Sequence, residues 1–182
     1  MPQTILEDFT QQARIAAASD NPASAIRELL KNSMSEADAM ADAIASQQDD
    51  EVMFFEDETC SIWTCRFDPD VVLAPHEHCM SVHIAVYRGA EVEVLYKREP
   101  DRLKHGGNKV ISAGEVASLG PDAIHAISAE GPEQSHAIHV YEGPLTAVKR
   151  SLFDWASGAE VDFTMENFHA MQREKSDMEE FR

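Results

Sequence analysis

The chain has 182 residues and carries 33 acidic against 15 basic side chains, which gives a formal net charge of −18. A surface this acidic argues against binding to nucleic acid or to an anionic membrane. No apolar stretch approaches the length of about 18 residues that a membrane span needs, and residues 1–20 lack the basic and apolar regions of a secretory signal. The three cysteines form no zinc-type CxxC pattern, so we expect a cytoplasmic protein with reduced thiols.

Residues 1–50 are predicted to form a helical extension that packs on the outside of the remaining chain. Local capping patterns indicate three helix starts within it. They are Thr4-x-x-Glu7, Asn21-Pro22 and Ser35-x-x-Asp38.

Residues 51–155 are predicted to form a β-barrel. Within them, an apolar run over residues 82–87, the turn dipeptide Arg88-Gly89 and a second run over residues 92–96 together predict a β-hairpin. A further strand is expected to end at Leu119, where a Gly-Pro-Asp turn leads into another strand that begins at His125.

The last part of the chain, residues 156–182, is predicted to form a helical tail. Before this tail, Gly143-Pro144 is expected to end the preceding strand, and residues 145–148 are expected to form the strand that closes the barrel. A helix from residue 164 to residue 182 would carry an apolar stripe, which is typical of a docking surface and makes a homodimer an expectation. The stripe consists of Met165, Phe168, Met171 and Met178.

Three histidines of the predicted barrel suggest a metal site. His76 and His78 are two residues apart, so on a strand both side chains project from the same face. His125 follows His78 by 47 residues and can supply a third imidazole from another strand. Such a facial set of three ligands predicts a mononuclear metal centre inside a small barrel.

This arrangement resembles the cupin superfamily, whose first motif has the form G-x5-H-x-H-x3-4-E-x6-G and whose second is built around a later histidine. His76 and His78 fit the first motif, and His83 stands where its glutamate falls. Gly114, eleven residues before His125, matches the outer spacing of the second motif. The resemblance implies a mainly β fold: a double-stranded β-helix (jelly-roll) barrel, here with N-terminal helices and a C-terminal helix.

A second stretch resembles the thiol dioxygenase branch of the cupins, which includes cysteine and 3-mercaptopropionate dioxygenases. Those enzymes carry a Ser-x-His-x-Tyr triad on one strand, and this chain has His139 and Tyr141 in matching positions. Alternation places both on one strand face. The serine is replaced by Ala137, although Ser135 is near in sequence. The resemblance covers residues 54–154 and implies an iron enzyme that uses O2 to oxidise a small thiol to its sulfinate, with His139 and Tyr141 acting beside the metal.

The residues leave three points open. His83 is an alternative fourth ligand, but its odd spacing from His78 requires a β-bulge. Three neutral imidazoles suit Fe(II), Ni(II), Cu(II), Co(II) or Zn(II), of which the resemblance favours iron. A carboxylate substrate would need Arg66, Arg88 or another donor, whereas acidic residues would suit an amine-bearing thiol such as cysteamine.

Two other function classes also remain open. The first is a metal-dependent cupin isomerase or lyase in which Tyr141 acts as acid or base. The second is a cupin that binds a small ligand without turnover, because this fold supports many functions.

Overall fold

The computed structural model describes residues 2–179, with side chains from residue 4 onward. The first part of the chain is helical: α1 spans Pro2–Ala17, α2 spans Pro22–Ser33 and α3 spans Ala37–Ala45. As predicted, the Asn21 side chain accepts a hydrogen bond from the Ser24 N–H at the start of α2. The other two capping predictions are wrong, because Thr4 lies inside α1 and Ser35 lies in a 3-10 turn, Met34–Glu36.

Twelve strands follow among the described residues, and all of their pairings are antiparallel. In chain order they are β1 (Glu51–Glu56), β2 (Ser61–Cys65), β3 (Val71–Glu77), β4 (Val82–Arg88), β5 (Ala90–Glu99), β6 (Arg102–Ser112), β7 (Val116–Leu119), β8 (Ile124–Ala129), β9 (His136–Tyr141), β10 (Ser151–Phe153), β11 (Glu160–Asp162) and β12 (Arg173–Glu174). One sheet has the order β1-β2-β9-β4-β7, and the other has the order β11-β10-β3-β8-β5-β6 with β12 beside β3.

The strand order is that of a jelly roll. From β2 to β9 the chain passes back and forth between the two sheets, so that β2-β9-β4-β7 faces β3-β8-β5-β6. This arrangement is the double-stranded β-helix, and it confirms the predicted mainly β cupin fold. The predicted strands that end at Leu119 and begin near His125 are present as β7 and β8.

The predicted hairpin over residues 82–96 is wrong. Both apolar runs are strands, but β4 lies in one sheet and β5 lies in the other. Between them Gly89 has a φ of +70°, and a Cβ at this position would lie 2.7 Å from the carbonyl oxygen of Gln134. The tight left-handed turn carries the chain across the sandwich, and β5 pairs with β6 and β8 instead.

The helices pack on the outer face of the first sheet. Ile138 and Val140 of β9 point outward and join a buried apolar cluster with Ile26, Leu30 and Ile44 of the helices. The intervening positions of β9 face the interior, as the alternation of a strand requires. His139 and Tyr141 are therefore buried between the sheets, which confirms their predicted common face.

The C-terminal part differs from the prediction. Residues 145–147 form a 3-10 turn, and β10 is the strand that pairs with β3. The predicted long helix is reduced to α4 (Met165–Ala170), while residues 180–182 lie outside the described residues. Phe168 and Met178 are buried in two different apolar clusters, so the predicted stripe does not form one exposed surface. No helix among the described residues is long and apolar enough to cross a membrane.

Substitution Ile26→Ala tests how the helices are packed. Ile26 is fully buried, whereas Ile15 of α1 is 74% exposed. We expect Ile26→Ala to lower the free energy of unfolding by about 2–5 kcal/mol, because a cavity is left behind. The matched control Ile15→Ala should change it by less than about 0.5 kcal/mol. Urea unfolding measures both, and equal losses would contradict this packing.

Candidate metal centre

Three histidine rings meet between the two sheets. His76 lies on β3 and is directly opposite His125 of β8, while His78 follows immediately after the end of β3. The Nε2 atom of His78 lies 3.1 Å from that of His76 and 3.2 Å from that of His125. All three side chains are buried, and their ligand atoms lie within 4.8 Å of one another. The group could hold one metal ion.

The hydrogen bonds at the far side of these rings favour metal binding. The Nδ1 of His76 lies 2.9 Å from the carbonyl oxygen of Ala74, so it must carry the proton of the neutral ring. The Nδ1 of His125 is hydrogen-bonded to the Glu93 carboxylate. In this arrangement both Nε2 atoms present lone pairs to the same buried point, where a shared cation would relieve their repulsion.

The rings of His76 and His78 are held in the neutral form that a metal requires. Burial lowers the pKa of both His76 and His78 well below the usual range, and the neighbouring His125 lowers it further. Metal binding then needs no loss of a proton from these two rings near neutral pH.

Two buried glutamates on β5 complete the surroundings, and sequence reasoning did not find either of them. Glu93 contacts His125, and Glu91 accepts a hydrogen bond from His139 Nε2 at 3.1 Å. Both carboxylates are fully buried. They lie two residues apart on one strand face, so a single strand supports both His125 and His139.

Tyr141 and His139 lie beside the three-histidine group. The Tyr141 ring centroid is 4.9 Å from that of His78 and 6.4 Å from that of His139. Burial raises the pKa of Tyr141 well above its usual range, so its hydroxyl keeps its proton. Tyr141 can therefore donate a hydrogen bond to a molecule bound in front of His78.

Two residues considered from the sequence lie elsewhere. His83 does not reach the three-histidine group, because β4 has no bulge at this position and its ring points to the other face. Its Nδ1 and Nε2 lie 2.7 Å from Ser118 Oγ and from a Glu142 carboxylate oxygen, respectively. Arg66 pairs with Asp50 at 3.0 Å and donates to the Ala45 carbonyl, outside the cavity.

A small cavity of about 40 Å³ lies in front of the histidines. Its walls include the apolar side chains of Trp63, Leu73 and Phe168, together with two charged groups that the sequence analysis had not assigned to the site. The first is Arg150, whose guanidinium carbon lies 3.3 Å from the centroid of the Phe163 ring. Burial lowers the pKa of Arg150, but a guanidinium remains charged at neutral pH.

Glu51 is the second charged group of the cavity. Burial raises the pKa of Glu51 to about 7, although the charges of His139 and Arg150 oppose this shift. The cavity therefore contains one group that changes its charge near physiological pH.

Comparison with known proteins gives a likeness in fold. No protein-family model matches the chain, and no curated protein matches it. Among solved structures, the chain is similar to an 11S globulin from Wrightia tinctoria, with a TM-score of 0.43 and 12% identity over 52% of this chain and 23% of that chain. It is also similar to an uncharacterized double-stranded β-helix protein from Klebsiella pneumoniae, with a TM-score of 0.42 and 20% identity over 58% of this chain and 86% of that one.

A third similar structure is an RmlC-like cupin family protein from Methanocaldococcus jannaschii. The TM-score is 0.45, with 11% identity over 56% of this chain and 89% of that one. The chain thus spans most of the length of the bacterial protein and of the archaeal protein, and less than a quarter of the length of the globulin.

Removal of one histidine tests the metal centre. We expect His125→Ala to reduce the bound metal from one ion per chain to a small fraction of that, because two imidazoles cannot replace three. His83→Ala serves as the control, since His83 lies outside the group, and it should retain one ion per chain. Elemental analysis after dialysis against metal-free buffer measures both. Full metal content in His125→Ala would contradict the assignment.

Glu51 predicts a pH dependence of stability in chelator-treated protein. Its pKa is about 7 in the folded state, above the ordinary carboxyl value of 4.5, so the folded state binds the proton more tightly than the unfolded state. This contribution is fully present below about pH 4.5 and is lost as the pH rises through 7. As the pH rises from 4.5 to above 7, the free energy of unfolding of the native protein should therefore fall by at most about 3 kcal/mol more than that of Glu51→Gln. Urea unfolding at several pH values measures the difference in stability between the two proteins. If the pKa of Glu51 were the ordinary 4.5, this difference would not change with pH.

Proposed function

We propose that this protein is a mononuclear Fe(II) enzyme that uses O2 to oxidise a small thiol bearing a carboxylate to its sulfinate. The observation that carries the proposal is that three imidazoles and the Arg150 guanidinium share one small buried cavity. The resemblance of the histidine pattern and of residues 137–141 to thiol dioxygenases supplies the reaction type.

His76, His78 and His125 would hold the ion. A bound Fe(II) would supply the redox chemistry by bringing a thiolate and O2 together, so that both oxygen atoms reach the sulfur. Three neutral ligands leave the charge of a divalent ion uncompensated, which favours an anionic thiolate as the partner. Nickel, zinc, cobalt and copper suit the same donors, and iron is proposed because the histidine pattern resembles that of thiol dioxygenases, which use iron.

Arg150 would bind the substrate carboxylate. Its guanidinium is preorganised by the Phe163 ring against which it packs, and a planar guanidinium can form two parallel hydrogen bonds with a carboxylate. The small size of the cavity restricts the substrate to a short chain between sulfur and carboxylate. The site therefore favours 3-mercaptopropionate or cysteine over a thiol without a carboxylate such as cysteamine.

Tyr141 and the apolar walls would set the hydrogen bonding and the access of water at the reacting atoms. The protonated Tyr141 hydroxyl can donate a hydrogen bond to oxygen or substrate beside His78. Trp63, Leu73 and Phe168 exclude bulk water, which strengthens the electrostatic interactions inside the cavity.

Oxygen uptake tests the proposed function. Protein loaded anaerobically with Fe(II) is supplied with 3-mercaptopropionate, cysteine, cysteamine and a neutral thiol, and the product is identified by mass. We expect one O2 consumed per sulfinate formed, with the carboxylate-bearing thiols preferred. Absence of uptake with every thiol, despite one iron per chain, would reject the proposal.

The role of Arg150 predicts a specific kinetic change. Arg150→Gln should raise KM for 3-mercaptopropionate by about 10- to 100-fold, because a charge-assisted hydrogen bond contributes about 1.5–3 kcal/mol. KM for cysteamine should change much less. Arg66→Gln is the matched control and should behave like the native protein, since Arg66 lies outside the cavity. If Arg66→Gln instead caused the loss, the carboxylate would bind elsewhere.

Proton abstraction from a small acid is the second candidate function, and Glu51 favours it. A carboxylate with a pKa of about 7 beside a metal site has the properties of a general base, as an isomerase or lyase requires. In this case solvent deuterium would enter the substrate without O2, and Glu51→Gln would abolish the exchange. Thiol-dependent oxygen uptake that survives Glu51→Gln would favour the dioxygenase.

A further inference from the structure

We propose that Glu91 is a positioning residue that holds His139 in its functional orientation, in place of the serine that position 137 lacks. The consequences for turnover rest on the proposed function, whereas the interaction between the two side chains does not. Ala137, two residues before His139 on the same strand face, offers no side-chain polar atom to the ring.

The contact joins the two sheets across the interior of the barrel. Glu91 projects from β5 and reaches His139 of β9, where the carboxylate oxygen lies 3.1 Å from Nε2. Glu91 is fully buried, and His139 is 2% exposed. Water cannot replace either partner easily at such a site, so the hydrogen bond fixes both the tilt and the rotation of the ring.

Ser135 supports the carboxylate rather than the imidazole. Its hydroxyl donates to the second oxygen of Glu91 at 3.4 Å and accepts a hydrogen bond from the Phe67 backbone N–H at 3.3 Å. Ser135 is itself completely buried. In the triad of the thiol dioxygenases a serine stands on the same strand as the histidine. Here Ser135 is linked to His139 only through the Glu91 carboxylate.

A carboxylate differs from a hydroxyl in its charge. Burial is the largest influence and opposes the charged form of His139, but the surrounding carboxylates, Glu91 first among them, together raise its pKa. Burial also raises the pKa of Glu91. Both shifts favour a proton held between the two side chains. Apart from Glu91, the charged groups that raise the pKa of His139 are Glu93 and Glu51.

The roles of the two glutamates on β5 can be separated. Glu93 contacts His125 and would act on the metal ion through it, whereas Glu91 contacts His139 and Ser135, neither of which belongs to the three-histidine group. Glu91→Gln should consequently leave the metal content unchanged. Glu93→Gln is the matched control, and it should lower metal affinity by about 10- to 100-fold.

The first test observes the His139 ring without turnover. Full-length protein loaded with Zn(II), which is diamagnetic, is titrated while the nitrogen resonances of its histidines are recorded by NMR. We expect Glu91→Gln to lower the apparent pKa of His139. An unchanged titration of His139 would overturn the proposal, whichever reaction the enzyme catalyses.

The second test uses thiol-dependent oxygen uptake by the Fe(II) protein. Glu91→Gln should lower kcat by about 10- to 100-fold, with KM within about twofold and one iron per chain. In a His139→Gln background the same substitution should cause no further loss. A full additional loss in that background would overturn the proposal, because Glu91 would then act independently of His139.

The two tests distinguish a failure of the proposed function from a failure of the proposed role of Glu91. If no thiol supports uptake by the native protein, the proposed function fails while the NMR titration still decides the role of Glu91. If Glu91→Gln does not fold, Glu91→Asp replaces it, since this change keeps the charge and moves the carboxylate away from His139. The same two readouts should then change in the same direction, and no change in either would overturn the proposal.

Discussion

Three imidazole nitrogens that meet at one buried point impose the main constraint on this structure. His76 and His125 are opposite each other on paired strands, and their outer nitrogens are already hydrogen-bonded, so their lone pairs point at the same place. Such an arrangement is costly without a shared cation, because lone pairs directed at one buried point repel one another. The buried carboxylates of Glu91 and Glu93 lie in the same interior, where the positive charge of an ion and of Arg150 would balance them.

The remainder of the fold keeps this interior closed. Helices α2 and α3 cover the outer face of β4 and β9, which leaves the inner face of the same strands available for His139 and Tyr141. On the other side, Phe163 and Phe168 lie with their ring centroids 6.0 Å and 5.2 Å from that of His76. The C-terminal segment therefore forms one wall of the cavity instead of a separate docking helix.

The sequence predicted the parts that depend on strand alternation. His76 and His78 share a face, and so do His139 and Tyr141, because side chains alternate along a strand. It could not predict Glu91 and Glu93, since strand alternation in the sequence indicates Val92 and Val94 of β5 as the inward residues. In the structure both faces of β5 are buried. The valines pack against Phe153 and Met178 on one face, and the glutamates face the histidines on the other. Arg150 follows an irregular turn, so no periodic pattern in the sequence indicates that its side chain faces the cavity.

The most direct test of the central claim is X-ray absorption spectroscopy at the metal edge of protein loaded with one equivalent of Zn(II). The account predicts three imidazole ligands with zinc–nitrogen distances of about 2.0–2.1 Å and the outer-shell scattering that histidine rings produce. Addition of a thiol ligand should introduce a sulfur neighbour at about 2.3 Å and leave the three imidazoles in place. A first shell composed of oxygen, or one with fewer than three imidazoles, would contradict the assignment of His76, His78 and His125.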